Sequence, residues 1–196
     1  VSLVVADIDG ESGPDLAAVN TPASNSLTIL TNDGLGGFRA GARNLSITGL
    51  DESSEPITPV GGRVVAAGNI DPDGLGDLAV AYADRKVFVL LGDAEQLEHL
   101  RFEYHLEAGE GLGATDPRAI LLTDLSGNAQ PDLVVALHGQ NMIALRKNNG
   151  SGLFGFEALY GTGAGPSALA GADLDGDGDL DLAVAGWYTA PVGHYV

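Results

Sequence analysis

An all-β fold of repeated four-stranded antiparallel blades is what this sequence predicts, and three observations carry the prediction. Its apolar residues fall in runs of four to six, bounded by Gly, Asn, Asp and Pro, which is the grammar of short strands and tight turns rather than of helices. One pattern occurs four times: a short apolar strand, an acidic nine-residue loop, and a second apolar strand led by Leu. The loops begin at Asp7, Asn69, Asp124 and Asp173, at intervals of 62, 55 and 49 residues, a spacing that suits one β-propeller blade per copy with connecting loops of varying length.

Taken in order, the first unit (1–60) carries the loop Asp7-Ile8-Asp9-Gly10-Glu11-Ser12-Gly13-Pro14-Asp15 and then Leu16–Val19. The second (61–115) shows the fullest set of strands: Val64–Ala67 before its loop, Leu78–Tyr82 after it, then Val87–Leu91 and Phe102–Leu106. The stretch from Ala94 to Leu106 is the chain's best helical candidate, yet 101–106 alternates with period two and reads equally well as an outer strand. The third unit (116–164) leads from its loop into Leu133–Ala136, and the fourth (165–196), as read, stops after its second strand, Leu182–Ala185. The prediction is therefore one partial propeller of about three and a half blades. Small residues crowd the strand after each loop (Ala17, Ala18, Ala79, Ala81, Ala183, Ala185), as expected of inner strands near a propeller axis. A β-sandwich with acidic turns would not explain a repeat at this spacing.

Composition narrows the function. The chain has 196 residues, 44% of them apolar, enough for a substantial core. Its formal charge is −18 with only nine Lys and Arg, which argues against nucleic acid, whose phosphates demand clustered cations. No apolar run reaches the length of a membrane-spanning helix and the N-terminus has no signal-peptide pattern, so no membrane insertion is expected. Residue 1 is Val and the sole Met is Met142, which suggests a processed or partial chain. With no Cys there is neither a disulfide framework nor a thiolate metal site.

The acid is spaced for a hard cation. Calcium takes six to eight oxygen ligands, and a short loop supplies them from alternate positions. In the fourth loop these are Asp173, Asp175 and Asp177, with the Asp179 carbonyl at position 7 and Asp181 closing the shell at position 9. Asn69, Asp71, Asp73, the Leu75 carbonyl and Asp77 take the same places in the second loop. The first offers Asp7, Asp9, Glu11, Gly13 and Asp15, where the longer Glu11 fits less well. In the third, Asp124, Ser126, Asn128, Gln130 and Asp132 include only two carboxylates, so this site is expected to be the weakest or a plain turn. Up to four Ca²⁺ ions are expected, serving as folding cofactors because the carboxylates otherwise repel one another. No Glu stands at position 12 and no helix flanks the loops, so they are not EF-hands.

These loops resemble the FG-GAP or VCBS family of repeats, the calcium-loop propeller modules also found in integrin alpha subunits. Two further features are similar: the lead-in Gly165-Pro166-Ser167, and Gly-rich turns ending in an aromatic at Asp33-Gly34-Leu35-Gly36-Gly37-Phe38 and Asn149-Gly150-Ser151-Gly152-Leu153-Phe154. The second unit lacks such a turn after Gly92-Asp93. The resemblance implies a propeller of about seven blades in a secreted or cell-surface protein that binds protein or glycan partners.

The function expected is thus a non-catalytic calcium-binding scaffold for adhesion or recognition. The alternatives are a subunit that self-associates through open blade edges into a surface layer or fibre, and the propeller portion of a secreted polysaccharide-acting enzyme. Catalysis within this segment has little support, because His99, His105, His138 and His194 are scattered and no Ser lies in a nucleophile-elbow context. Asn44 and Asn149 head sequons that would carry glycans in a secretory pathway. Trp187 and Tyr188 are expected to pack against a next blade rather than to stack on sugar.

Overall fold

A computed structural model describes residues 2–20, 26–39, 41, 43–47, 49–50, 56–57, 61–84, 86–92, 101–107 and 116–187. Three four-stranded antiparallel meanders follow one another: β1 (Ser2–Ala6), β2 (Asp15–Val19), β3 (Ser26–Leu30) and β4 (Arg43–Ser46) form the first. A two-residue hairpin, β5 (Gly49–Leu50) and β6 (Pro56–Ile57), precedes the second meander of β7 (Gly62–Gly68), β8 (Asp77–Tyr82), β9 (Lys86–Leu91) and β10 (Arg101–Glu107). The third holds β11 (Pro117–Thr123), β12 (Asp132–Leu137), β13 (Met142–Asn148) and β14 (Phe154–Gly161), with one 3₁₀ turn at His138–Gln140. The hairpin of β15 (Pro166–Ala172) and β16 (Asp181–Gly186) begins a fourth sheet. The outer-strand reading of 101–106 holds, whereas 94–100 lies outside the described residues.

The sheets stack face to face like successive propeller blades, and period-two alternation decides what each face meets. On β8, Leu78, Val80 and Tyr82 turn toward the first sheet and join Ala17, Val19, Leu27 and Ile29 in one core, where Tyr82 meets Phe88 edge to face at 5.3 Å. Ala79 and Ala81 turn the other way, against Leu133, Val135 and Leu137 of the third sheet. Val134 and Ala136 then meet Leu169 and Leu182 of the fourth. Hence β8 and β12 are buried throughout their length.

The inner position belongs to a different strand from the one expected. The first strands, β1, β7, β11 and β15, pack in sequence on one another, so the strand before each loop is innermost and the Ala-rich strand after it is second. Small residues there answer the bulky face of a neighbouring sheet, large against small, rather than crowding at the axis.

Candidate metal centres

Every acidic loop joins an innermost strand to a second strand, so all four lie at the same end of their sheets. Three of them gather carboxylates. One oxygen each from Asp7, Asp9 and Asp15, from Asp71, Asp73 and Asp77, and from Asp173, Asp175 and Asp177 lie within 4.8 Å of one another in their respective loops. Glycines at the tips turn the chain in left-handed conformation, as Gly176 (φ 84°) and Gly178 (φ 96°) do in the fourth loop.

The aspartate at position 9 has a second task that the sequence did not announce. In every loop its Oδ2 accepts the N–H of position 2: Ile8 to Asp15 at 3.0 Å, Ile70 to Asp77 at 2.5 Å, Leu125 to Asp132 at 3.1 Å and Leu174 to Asp181 at 3.0 Å. In the three complete sheets Oδ1 also accepts an N–H from beyond or at the end of the third strand: Asn32 at 2.8 Å, Gly92 at 2.8 Å and Asn148 at 2.9 Å. Asp15, Asp77 and Asp132 are buried and staple the loop to its sheet. Burial pushes Asp77 up to about 6, against the N–H groups of Gly92, Asp71 and Ile70 that favour its charged form and with the nearby Asp71 charge adding to the rise. At Asp77, Oδ2 also accepts the Asp71 N–H at 3.2 Å, and Oδ1, with one donor, keeps a lone pair for a cation.

The residues fit a hard cation best in the first and second loops. Asp9 is 4% exposed and its Oδ2 has no hydrogen-bond partner, an orphaned carboxylate oxygen on a member of the Asp7, Asp9 and Asp15 cluster. Burial raises the Asp9 carboxyl, the Glu11 N–H lowers it, and the charge of Asp15 raises it further. In the second loop the Asn69 side-chain amide faces the carbonyl oxygens of Asp71 and Leu75, at 2.5 and 3.3 Å. Its NH₂ there satisfies the very carbonyl, that of Leu75, expected at position 7, and rotation of the amide would present Oδ1 instead. All donors are carboxylate, amide or carbonyl oxygens, the set that suits Ca²⁺.

Two other expected side-chain ligands stand apart from their clusters. Glu11 turns outward to Arg39 at 2.9 Å and does not join its cluster, because its longer arm reaches solvent past the loop. Asp181 stands outside the fourth cluster, and Asp179, expected to act through its carbonyl, donates its N–H to Asp177 Oδ1 at 2.9 Å. In the third loop no such carboxylate cluster forms among the described residues. Asp124 accepts the N–H groups of Asn128 and Ala129 at 3.1 and 2.7 Å. Desolvation pushes against its charge, but these and the N–H groups of Gly127 and Ser126 hold it below the usual carboxylate range. Asn128 spends its amide on Asn148 O and on the Gln130 N–H. Ser126 Oγ and Gln130 Oε1 are buried without a partner among the described residues, two neutral oxygens, that of Ser126 at position 3 where the other loops place carboxylates.

Two residues missed by sequence reasoning join the sheets. Asn148 Nδ2 donates to Ile70 O at 2.8 Å and to Pro131 O at 3.2 Å, tying the third sheet to the loop of the second. Gly76 N donates to Asp7 O at 2.6 Å and ties the second loop to the first. The signal for the former was present in the Asn-Asx-Gly runs 32–34 and 148–150: Asn32 Nδ2 likewise donates to Pro14 O. Of the two sequon residues, Asn149 is exposed with its Oδ1 taken by Ser151 N and Oγ, and Asn44 is exposed with Oδ1 accepting from Thr28. Trp187 is exposed, with no sheet after it among the described residues for it to pack against, and Tyr188 lies outside the described residues.

Comparison with known proteins agrees with this architecture. Residues 124–184, from the third loop through the fourth hairpin, match the model of the FG-GAP-like repeat. A lectin of Agrocybe aegerita, solved for its specific recognition of non-reducing terminal N-acetylglucosamine, aligns over 91% of this chain and 44% of its own, with a TM-score of 0.57 and 20% identity. BBS1N in complex with ARL6DN aligns over 94% of this chain and 50% of its own, with a TM-score of 0.59 and 18% identity. The Tc holotoxin pore of Photorhabdus luminescens aligns over 92% of this chain and 8% of its own, at 0.50 and 22%. The chain thus spans half or less of each of these structures, and at such identities the likeness is one of fold. No curated protein matches the sequence. Among the described residues no helix is long and apolar enough to cross a membrane.

Proposed function

We propose that this chain is a calcium-binding, non-catalytic propeller-type scaffold of a secreted or cell-surface protein, one that presents surfaces for recognition of a protein or glycan. The observation that carries the reading is the recurrence of a three-carboxylate cluster in the equivalent hairpin of three sheets. Acidic turns occur by chance, but chance does not place such clusters at the same end of three of four successive sheets. The FG-GAP-like match over 124–184 supports the same reading, and the lectin among the structures of similar fold is compatible with a glycan as ligand.

The ion would supply positive charge where each loop otherwise holds unscreened carboxylates. The protein's own part is to preset the donors: position 9 is fixed by at least one N–H bond in every loop, and the carboxylates at positions 1 and 3 of the first loop, 3 and 5 of the second and 1, 3 and 5 of the fourth gather along the glycine-turned chain. Calorimetric titration of the chelator-treated chain with Ca²⁺ tests the proposal. Three bound ions and a higher melting temperature are expected, with one ion fewer in Asp71→Ala. Absence of binding, or a melting temperature indifferent to calcium, would refute it.

A further inference from the structure

One corner recurs in three consecutive sheets, at the end opposite the acidic loops. Just before β7, β11 and β15 the chain passes through a left-handed residue: Gly61 (φ 68°), Asp116 (φ 45°) and Gly165 (φ 59°). The carbonyl of each accepts the N–H that follows the second strand, from Ala83 at 3.0 Å, His138 at 3.3 Å and Trp187 at 3.1 Å. The register then slips between Gly62 and Val64, Pro117 and Ala119, and Pro166 and Ala168. The bulges fall on Arg63, Arg118 and Ser167, and a bulge re-aims the side chain it carries.

Glycine adopts this conformation without steric cost; aspartate does not. Its presence at one of three equivalent corners calls for a return from the carboxylate, since a backbone outlier points toward function. That carboxylate gathers cations. Arg118 donates Nε and Nη2 to Asp116 Oδ2 at 2.9 and 2.7 Å, and Arg63 Nη2 reaches Oδ1 from the neighbouring sheet at 3.2 Å without hydrogen-bond geometry. His138 Nδ1 lies 3.8 Å from Oδ2.

Among the described residues, two guanidiniums on one carboxylate leave positive charge in excess, and two of the five N–H donors of Arg118 are used. Both arginines remain open to solvent, at 39% and 44% exposure. Strands β7 and β11 separate this corner from the acidic loops by about 20 Å, well beyond the roughly 8 Å screening length at physiological salt. The nearby Lys86–Asp84 pair is closed on itself at 3.1 Å. At the adjoining corner Gly165 sits against the imidazole, where a Cβ would lie 2.9 Å from His138 Nε2, and Trp187, bonded to Gly165, is largely exposed.

We propose that Arg63 and Arg118, held by Asp116, form an oxyanion seat that takes the carboxylate, sulfate or phosphate group of a ligand, with Trp187 on the adjoining corner for the ligand's body. Guanidinium forks match such groups in shape and charge. The seat is separate from the hairpin loops and does not depend on whether they hold metal.

The test titrates the full chain, at low ionic strength, with sodium glucuronate, inorganic sulfate and glucose 6-phosphate in turn. Saturable binding of at least one is expected, weakened about tenfold or more in Arg63→Gln and in Arg118→Gln. Asp116→Gly is the discriminating variant. Glycine already occupies both equivalent corners, so the melting temperature should hold or rise while the probe binds more weakly. Which probe binds identifies the group. No binding of any probe in the millimolar range, binding indifferent to all three substitutions, or an Asp116→Gly that melts earlier yet binds unchanged would overturn the assignment and leave Asp116 as a strut.

Discussion

At the scale of single residues, the aspartates divide between those that hold the loop and those that face its centre. Asp132 makes the division measurable, because among the described residues its loop has no carboxylate cluster and it accepts two N–H bonds, from Leu125 and Asn148. Asp132→Ala would leave both donors buried and unpaired, at a cost of roughly 2–4 kcal/mol. Urea unfolding should show that loss, with the number of calcium ions bound unchanged. Asp77 adds a dependence on pH. Its folded carboxyl is raised to about 6 from 3.8, so between these values the folded chain holds a proton that the unfolded chain has released. Stability from this group is therefore full below pH 4 and is lost as pH rises through 6, by roughly 3 kcal/mol. In chelator, the decline between pH 4 and pH 7 should be correspondingly smaller in Asp77→Asn than in the parent. An equal slope in both would mean that Asp77 is ionised throughout.

At the scale of elements, the loops and strands were legible because local chemistry dictates them. Apolar runs bounded by Gly, Asp and Pro placed Val64–Ala67, Leu78–Tyr82 and Val87–Leu91 inside the observed β7, β8 and β9. What stayed hidden was the third dimension. Alternation says that β8 has two faces but not which sheet each face meets, so Ala79 and Ala81 read as axial when they answer Leu133 and Val135 of the neighbouring sheet. The ligand spacing was also legible, yet not the diversion of Glu11 to Arg39 or the stapling of position 9, since both depend on groups distant in the chain. Asn148 and its partner Ile70 are 78 residues apart. The joints between sheets are correspondingly sensitive. A Cβ on Gly76 would lie 2.7 Å from Asp7 O and 2.8 Å from Ala6 Cβ, where the obstacle is packed backbone. Gly76→Ala should cost about 2 kcal/mol and lower the melting temperature by roughly 4–8 °C. It should also weaken calcium at the first loop, because Gly76 N–H anchors the Asp7 carbonyl. A variant as stable as the parent would show that the two loops are not joined in this way.

At the scale of the whole molecule, the same residue types meet different fates according to whether a sheet stands in front of them. Phe154 ends the Gly-rich turn of the third sheet and is 6% exposed in the core shared with Ile70 and Leu91. Phe38 ends the corresponding turn of the first sheet, which has no sheet before it among the described residues, and is 45% exposed. On the innermost strands Val65 is buried against the first sheet, while Leu3, at the equivalent register, is 57% exposed, with Val5 beside it at 60%. The first sheet thus presents an apolar face built like the faces that are covered elsewhere in the chain, and the exposed Leu174 and Val184 do the same at the fourth hairpin. Apolar faces of this kind associate in water. For the isolated 196-residue chain, sedimentation velocity should show self-association that grows with concentration. Leu3→Lys combined with Val5→Lys should shift it toward monomer, because lysine on an open strand face opposes pairing. Its melting temperature in dilute solution should stay within a few degrees of the parent's, since neither side chain is buried. A parent that remains monomeric at high concentration would mean that these faces are covered within the chain itself.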